Sequence, residues 1–281
     1  ADLDFKHPEV IQNLYDWADW FIETTGIHGF RLDAIKHIDS FFMGNFIRDI
    51  MAKYGEDFYV FGEFWNGDET ANNDYLGSID YRFDLVDVKL HHNLFDASRA
   101  GADYDLRNIF EQTLVKNHPK SAVTFVDNHD TQRGQALEST VEEWFKPVAY
   151  ALILLREAGL PCVFYGDYYG IKGEFAQQSF QEVLDKLLDI RLNLAYGEQT
   201  DYFDDEHCIA WTRSGKDNGQ PIAVIISNDQ ANSKRMYVGE NWAGKEFKDC
   251  LGNSSSIVTI KKDGWADFPV AEKSVSVWSV Q

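Results

Sequence analysis

The chain has 281 residues, 44% of them hydrophobic and 15% aromatic, enough for a large core and more than one domain. Against 46 acidic side chains stand only 26 basic ones, a formal net charge of −20 that argues against nucleic-acid binding. No apolar run approaches the length needed to cross a membrane.

Residues 8–25 read as a helix. Pro8 suits its first turn, Gly26 its end, and Val10, Leu14, Trp17, Ala18 and Phe21 recur at helical spacing as a buried face. Gly29–Asp33 is strand-like, residues 40–54 are helical, and Phe58–Trp65 is a second strand. A third strand is expected over Ile79–Leu85, a helix over 104–117, and a clear strand over Ser121–Val126. A long apolar helix is expected over 141–158, a strand over Pro161–Tyr165 and a helix over 179–194. Apolar strands alternating with helices predict a parallel sheet covered by helices, as in a (β/α) barrel, whose active site lies at the carboxyl ends of its strands. From about residue 200 strands dominate: Ile209–Arg213, Pro221–Ser227, Arg235–Val238, Ile257–Ile260 and Val275–Val280, with Asp263-Gly264 as a hairpin signal. The expected domains are therefore 1–199, part of a (β/α)8 barrel, and 200–281, an antiparallel β-sandwich domain.

Three cysteines, Cys162, Cys208 and Cys250, match no zinc spacing and read as structural thiols with at best one bridge, a usage that leans toward a reducing compartment.

Three strand ends carry carboxylates. Alternation puts Arg31 and Asp33 on one face of the first strand, where the guanidinium favours an ionised, nucleophilic Asp33; a packing ion pair is the alternative. Glu63 shares a face with Tyr59, Phe61 and Trp65, and desolvation among rings would keep it protonated, as a general acid requires. Phe125-Val-Asp-Asn-His-Asp130 runs from an apolar strand into four polar groups, of which Asp127, His129 and Asp130 could bind sugar hydroxyls, stabilise positive charge or hold a metal. One attacking carboxylate and one carboxylic acid are what glycoside cleavage needs. A metal-dependent hydrolase would call for several inward histidines, which the strands lack.

These segments resemble signature motifs of the α-amylase family, glycoside hydrolase family 13. Gly29-Phe-Arg-Leu-Asp-Ala-Ile-Lys-His37 is similar to the nucleophile motif, Val60-Phe-Gly-Glu-Phe-Trp65 to the acid/base motif, and Phe125-Val-Asp-Asn-His-Asp130 to the third-carboxylate motif. Asp130-Thr-Gln, Trp144-Phe-Lys-Pro, Phe164-Tyr-Gly-Asp-Tyr-Tyr-Gly170 and Arg235-Met-Tyr-Val-Gly239 extend the likeness to the bacterial liquefying subgroup. The resemblance implies Asp33 as nucleophile, Glu63 as acid/base and Asp130 as transition-state stabiliser. It implies that Arg31 orients Asp33, that His129 binds the same sugar, and that Lys36, His37 and Trp65 lie on the leaving-group side. Retention of configuration follows, with nucleophile and acid about 5–5.5 Å apart.

The resemblance also implies calcium, with sodium at an adjacent site, held by Asp2, Asp4 and the backbone carbonyl of His37. Lys6 stands where a third acidic ligand is usual, which opposes a second calcium. His207 and Asn228 replace the acids of a further site, where no ion is expected.

Nothing in the chain is similar to the family's first three barrel strands or its inserted domain, so it is expected to be a C-terminal part, strands four to eight, with an incomplete site. The substrate is expected to be an α-glucan polysaccharide or maltooligosaccharide, with no nucleic acid or membrane partner and a monomeric full-length form. The family is often secreted, whereas the cysteines lean toward an intracellular location. Two other readings remain: a glucan transglycosylase of the same superfamily, and a non-catalytic glucan-binding fragment.

Overall fold

A computed structural model of the protein describes residues 3–217 and 219–280. In chain order the elements are α1 (Pro8–Thr25), β1 (Gly29–Leu32), α2 (Ser40–Tyr54), β2 (Tyr59–Gly62), α3 (Glu69–Ser78), β3 (Asp84–Val86), α4 (Val88–Ala100), α5 (Leu114–Asn117), β4 (Ala122–Phe125), α6 (Lys146–Leu154), β5 (Leu160–Cys162), α7 (Tyr165–Tyr169) and α8 (Gln181–Asn193). Eight strands follow: β6 (Gln199–Tyr202), β7 (Cys208–Arg213), β8 (Ile222–Ser227), β9 (Asn232–Tyr237), β10 (Glu246–Asp249), β11 (Ile257–Thr259), β12 (Trp265–Val270) and β13 (Ser274–Val280). The chain forms two compact units. The first comprises the described residues up to Lys89 with Gln112–Val123, the second Leu90–Glu111 with those from Thr124 onward.

In the first unit β1, β2, β3 and the start of β4 pair in that order, all parallel. Gly29 is required where β1 meets β2, because a Cβ there would lie 2.2 Å from the Tyr59 carbonyl oxygen. Helix α1 starts at Pro8, with the His7 ring accepting from the Glu9 N–H, and ends at Gly26 in the left-handed region, φ 67°. Its buried stripe centres on Ala18 and Ile22; Trp17, expected inside, is 47% exposed and stacks on Phe21 and Phe30.

The expected strand at Ile79–Leu85 is displaced to Asp84–Val86, because Asp80 and Tyr81 adopt φ of 58° and 52°, a left-handed turn that no strand tolerates. The expected helix at 104–117 reduces to 3-10 turns at Gly101–Asp103 and Leu106–Asn108 and the single turn of α5, with Gln112 at φ 59° between them. Helices α3 and α4 were not expected. The first is polar and opens on the Asp68 side chain, which accepts from the Ala71 N–H.

In the second unit β4 is followed by β5, its neighbour in the parallel sheet. Helix α6 starts at Lys146 rather than 141, since Pro147 is confined to a first turn. The expected strand at Pro161–Tyr165 stops at Cys162, and Tyr165 opens α7. The later strands form a six-stranded sheet, β11-β10-β13-β8-β7-β6, and a two-stranded ribbon, β12-β9, paired antiparallel within each. Ala210, Ile225, Phe247 and Trp278 from the sheet and Met236, Phe268 and Val270 from the ribbon share one core. Strands β6, β10 and β12 were not expected. The Asp263-Gly264 turn is not a hairpin: it passes the chain from β11 in the sheet to β12 in the ribbon.

Candidate active site

Strands β1 and β2 stay in register past their ends. The Glu63 N–H donates to the Leu32 carbonyl at 2.8 Å and the Ile35 N–H to the Glu63 carbonyl at 3.2 Å. This tie sets Asp33 beside Glu63. The two carboxylates then differ sharply: the Asp33 side chain is 72% exposed, that of Glu63 only 8%. Arg31 serves both, with Nη1 2.8 Å from Asp33 Oδ1 and Nη2 3.3 Å from Glu63 Oε1. The next residue, Ala34, sits in the left-handed region at φ 48° and donates its N–H to Glu63 Oε2 at 3.3 Å. A non-glycine residue there is backbone strain of the kind that collects at functional sites.

The polar neighbours of Glu63 are thus a guanidinium and a backbone N–H. Tyr59 and Phe61 do lie together, centroids 6.1 Å apart, but the Tyr59 hydroxyl donates to Asp84 Oδ2 at 2.9 Å. Burial pushes the Asp84 carboxyl up, with the Tyr59 bond opposing. Lys36 and His37 lie exposed on the 3-10 turn Ile35–His37, and Trp65 is half-buried two residues beyond Glu63.

In the second unit, the Phe125–Asp130 run divides. His129 and Asp130 face outward, side chains 60% and 35% exposed, with His129 Nε2 3.3 Å from Asp130 Oδ2. The Asn128 side-chain oxygen accepts from the N–H groups of Asp130 and Thr131, both at 2.9 Å. Asp127, a candidate ligand or sugar contact in the sequence, is 2% exposed and turned into the core against Lys146. Lys146 also binds Asp167, and all three are buried. Desolvation pushes the Asp127 carboxyl up, against the pull of Lys146. This cluster was missed because its members lie far apart in the chain and Lys146 stands in an otherwise apolar stretch.

His91, also missed, is buried on α4. Its Nδ1 lies 2.6 Å from the Val126 carbonyl and its Nε2 2.8 Å from the Ser139 hydroxyl, while its ring stacks on Phe125. The carbonyl can only accept, so the ring proton belongs on Nδ1. Burial pushes the imidazole down to about 4, with the Val126 bond opposing.

The metal expectation fits less well. Asp2 lies outside the described residues. The Asp4 side chain accepts from the Lys6 N–H at 3.0 Å, and among the described residues no three His, Cys, Asp or Glu side chains gather as a metal site. Asp4 and one carbonyl fall well short of the six to eight oxygens calcium takes.

Carboxylates at the ends of parallel strands, in a β/α sheet followed by antiparallel sheets, place the protein in the β/α-barrel class. The chain belongs to the α-amylase family: the profile of the α-amylase catalytic domain matches residues 1–236, and that of the α-amylase C-terminal domain residues 222–279. It is 46% identical over 281 residues to a glucan 1,4-α-maltohexaosidase of Bacillus sp. (strain 707), covering 99% of this chain and 54% of that protein. It is also 46% identical over 280 residues to an α-amylase of Geobacillus stearothermophilus, covering 99% of this chain and 51% of that one. The chain thus spans about half the length of the curated relatives it matches. The crystal structure of an Anoxybacillus α-amylase shares the fold, with a TM-score of 0.74 at 24% identity, covering 99% of this chain and 64% of that one.

Proposed function

We propose that the protein hydrolyses α-1,4-glucosidic bonds in starch, glycogen and related glucans, internally and with retention of configuration. The observation that carries this reading is the pairing of an exposed Asp33 with a buried Glu63 under one guanidinium. Two carboxyl groups of opposite environment suit the two roles of a retaining glycosidase. Asp33 attacks the anomeric carbon while Glu63 gives its proton to the departing glycosidic oxygen, which leaves a covalent glycosyl-enzyme. Glu63 then takes a proton from water as that water displaces Asp33. Asp130 and His129 bind hydroxyls of the distorted sugar, Arg31 holds Asp33, and Lys36, His37 and Trp65 line the leaving-group side.

Calcium, with sodium beside it, belongs to this proposal as a structural ion only. Asp2, Asp4 and the His37 carbonyl would supply part of its oxygen shell, and no catalytic step passes through it. The proposed substrate is an α-glucan or maltooligosaccharide and the proposed assembly a monomer.

The test is digestion of maltooligosaccharide by the protein at its natural length, followed by NMR of the products. Shorter products released first as the α-anomer are expected, with loss of turnover in Asp33→Asn and Glu63→Gln. Products longer than the substrate would make it a transglycosylase. Glucan binding that survives both substitutions, with no cleavage at all, would reduce it to a binding protein.

A further inference from the structure

Asp127 is anchored on three sides. Its Oδ2 accepts from Lys146 Nζ at 2.7 Å; its Oδ1 accepts from the Thr131 hydroxyl at 3.1 Å and from the Val141 N–H at 3.3 Å. The Thr131 hydroxyl oxygen in turn accepts from the Asn128 N–H at 2.9 Å. The Asn128 side-chain oxygen then takes the Asp130 N–H. Hydrogen bonds therefore run without a gap from a buried lysine to the backbone of Asp130. The far end is equally fixed: Asp167 receives Lys146, the Tyr150 hydroxyl at 2.6 Å and the Gln177 amide at 2.7 Å.

The composition of the cluster is poor for stability. Two carboxylates share one ammonium group out of reach of water, where desolvating each ion costs several kcal/mol and apolar packing often does as well. What it offers instead is a rigid point under an exposed loop. The loop folds back on itself through the Ser139 N–H and the Thr140 hydroxyl, both on the Thr131 carbonyl, and through the Leu137 N–H on the Asp130 carbonyl. Thr131, itself 0% exposed, is the link between this loop and the ion pair.

We infer that Thr131, clamped by the Asp127–Lys146 pair, is a positioning residue that sets the Asp130 carboxylate for the transition state. The inference rests on the reading of Asp130 as the carboxylate that acts on the distorted sugar. Thr131→Val keeps the shape of the side chain but removes both its donor to Asp127 and its acceptor for Asn128.

The experiment compares Thr131→Val, Thr131→Ser and Ser98→Ala in the protein at its natural length. Ser98 is a buried hydroxyl with a like pair of bonds, to the Phe95 carbonyl and from the Glu142 N–H, and serves as the stability control. Misplacing a reacting group by about 1 Å can cost on the order of a hundredfold, so Thr131→Val should lower kcat by about tenfold to a hundredfold. KM should stay within about threefold, since an interaction made only in the transition state leaves ground-state binding alone. Thr131→Ser should restore most of kcat, and Ser98→Ala should lower Tm without this loss. Amide hydrogen exchange gives a readout independent of turnover: protection at Asp130 should fall in Thr131→Val alone. Unchanged protection there, or kcat that merely follows Tm across all three variants, overturns the positioning role. A parent protein that cleaves no glucan overturns the functional reading instead, and exchange at Asp130 still decides whether Thr131 holds the loop.

Discussion

Arg31 Nη2 lies 3.3 Å from Glu63 Oε1, so the arginine bridges the buried carboxylate to the exposed one rather than serving Asp33 alone. A planar fork can reach two acceptors at once, whereas an ammonium group acts as a single point charge. Arg31→Lys should therefore keep one contact and lose the other. The pair is partly screened, with 36% of the Arg31 side chain exposed, so stability should fall by about 1 kcal/mol or less. On the proposed function, glucan cleavage should fall far more, by roughly a hundredfold, because the geometry of both carboxylates is disturbed. Parallel kinetics and thermal melts check this, and full activity in Arg31→Lys would remove the bridging role.

His91 makes a prediction about acid stability. Its pKa falls from 6.5 to about 4 on folding, chiefly by desolvation. The folded state thus favours the neutral ring, so the unfolded chain binds the extra proton first as pH drops. The contribution of His91 is complete above pH 6.5 and is lost as pH falls toward 4, to a total of about 3 kcal/mol. Asp127, whose pKa is raised, works in the opposite sense. Subtracting the denaturant stability of His91→Gln from that of the parent isolates the histidine. The difference should shrink by about 3 kcal/mol between pH 7 and pH 4; a flat difference would mean that the ring is not held neutral.

The same residue shows where sequence reading stopped. Helix α1 and strands β1, β2 and β4 were legible because an apolar period and a terminal Pro or Gly suffice to define them. The positions of Asp33, Glu63 and Asp130 just past strand ends were legible because a charged residue following an apolar strand stands out. Helix α4 was not, since His91 and Asn93 interrupt its apolar pattern yet are buried. Their polarity is answered by carbonyls distant in sequence: Val126 for His91, Ile109 and Glu111 for Asn93. Such partners exist only once the chain has folded. Lys146 was hidden in the same way, and Gln199–Tyr202 pairs as a strand through its backbone with no apolar pattern to announce it.

Calcium is testable without turnover. Asp4 spends one oxygen on the Lys6 N–H. A structural site filled to a hundred times its Kd adds about 2.7 kcal/mol. For a chain of this size that is a rise in Tm on the order of 5–10 °C. Chelator-treated protein should recover this rise on addition of calcium, with a further smaller gain from sodium, and Asp4→Asn should blunt it. No shift with either ion would withdraw the metal from the proposal.

Asn228 predicts an engineered dependence on metal. It is 0% exposed, and its side-chain Nδ2 donates to the carbonyls of Gly101 and Tyr104 at 2.8 and 2.7 Å. Asn228→Asp would aim a carboxylate at two carbonyl oxygens and remove the side-chain donor they share, although the Gly101 carbonyl keeps the Tyr104 N–H at 3.1 Å. A buried group left unsatisfied costs about 1–3 kcal/mol, so the variant should be less stable by at least about that much in chelator. It would also gather three hard oxygens around the place of the lost amide, a partial shell of the kind calcium prefers. Added calcium should then raise the Tm of Asn228→Asp by more than it raises that of the parent, and Asn228→Ala should show the loss without the rescue. Equal stability of Asn228→Asp and the parent in chelator would mean that the two carbonyls do not depend on this amide.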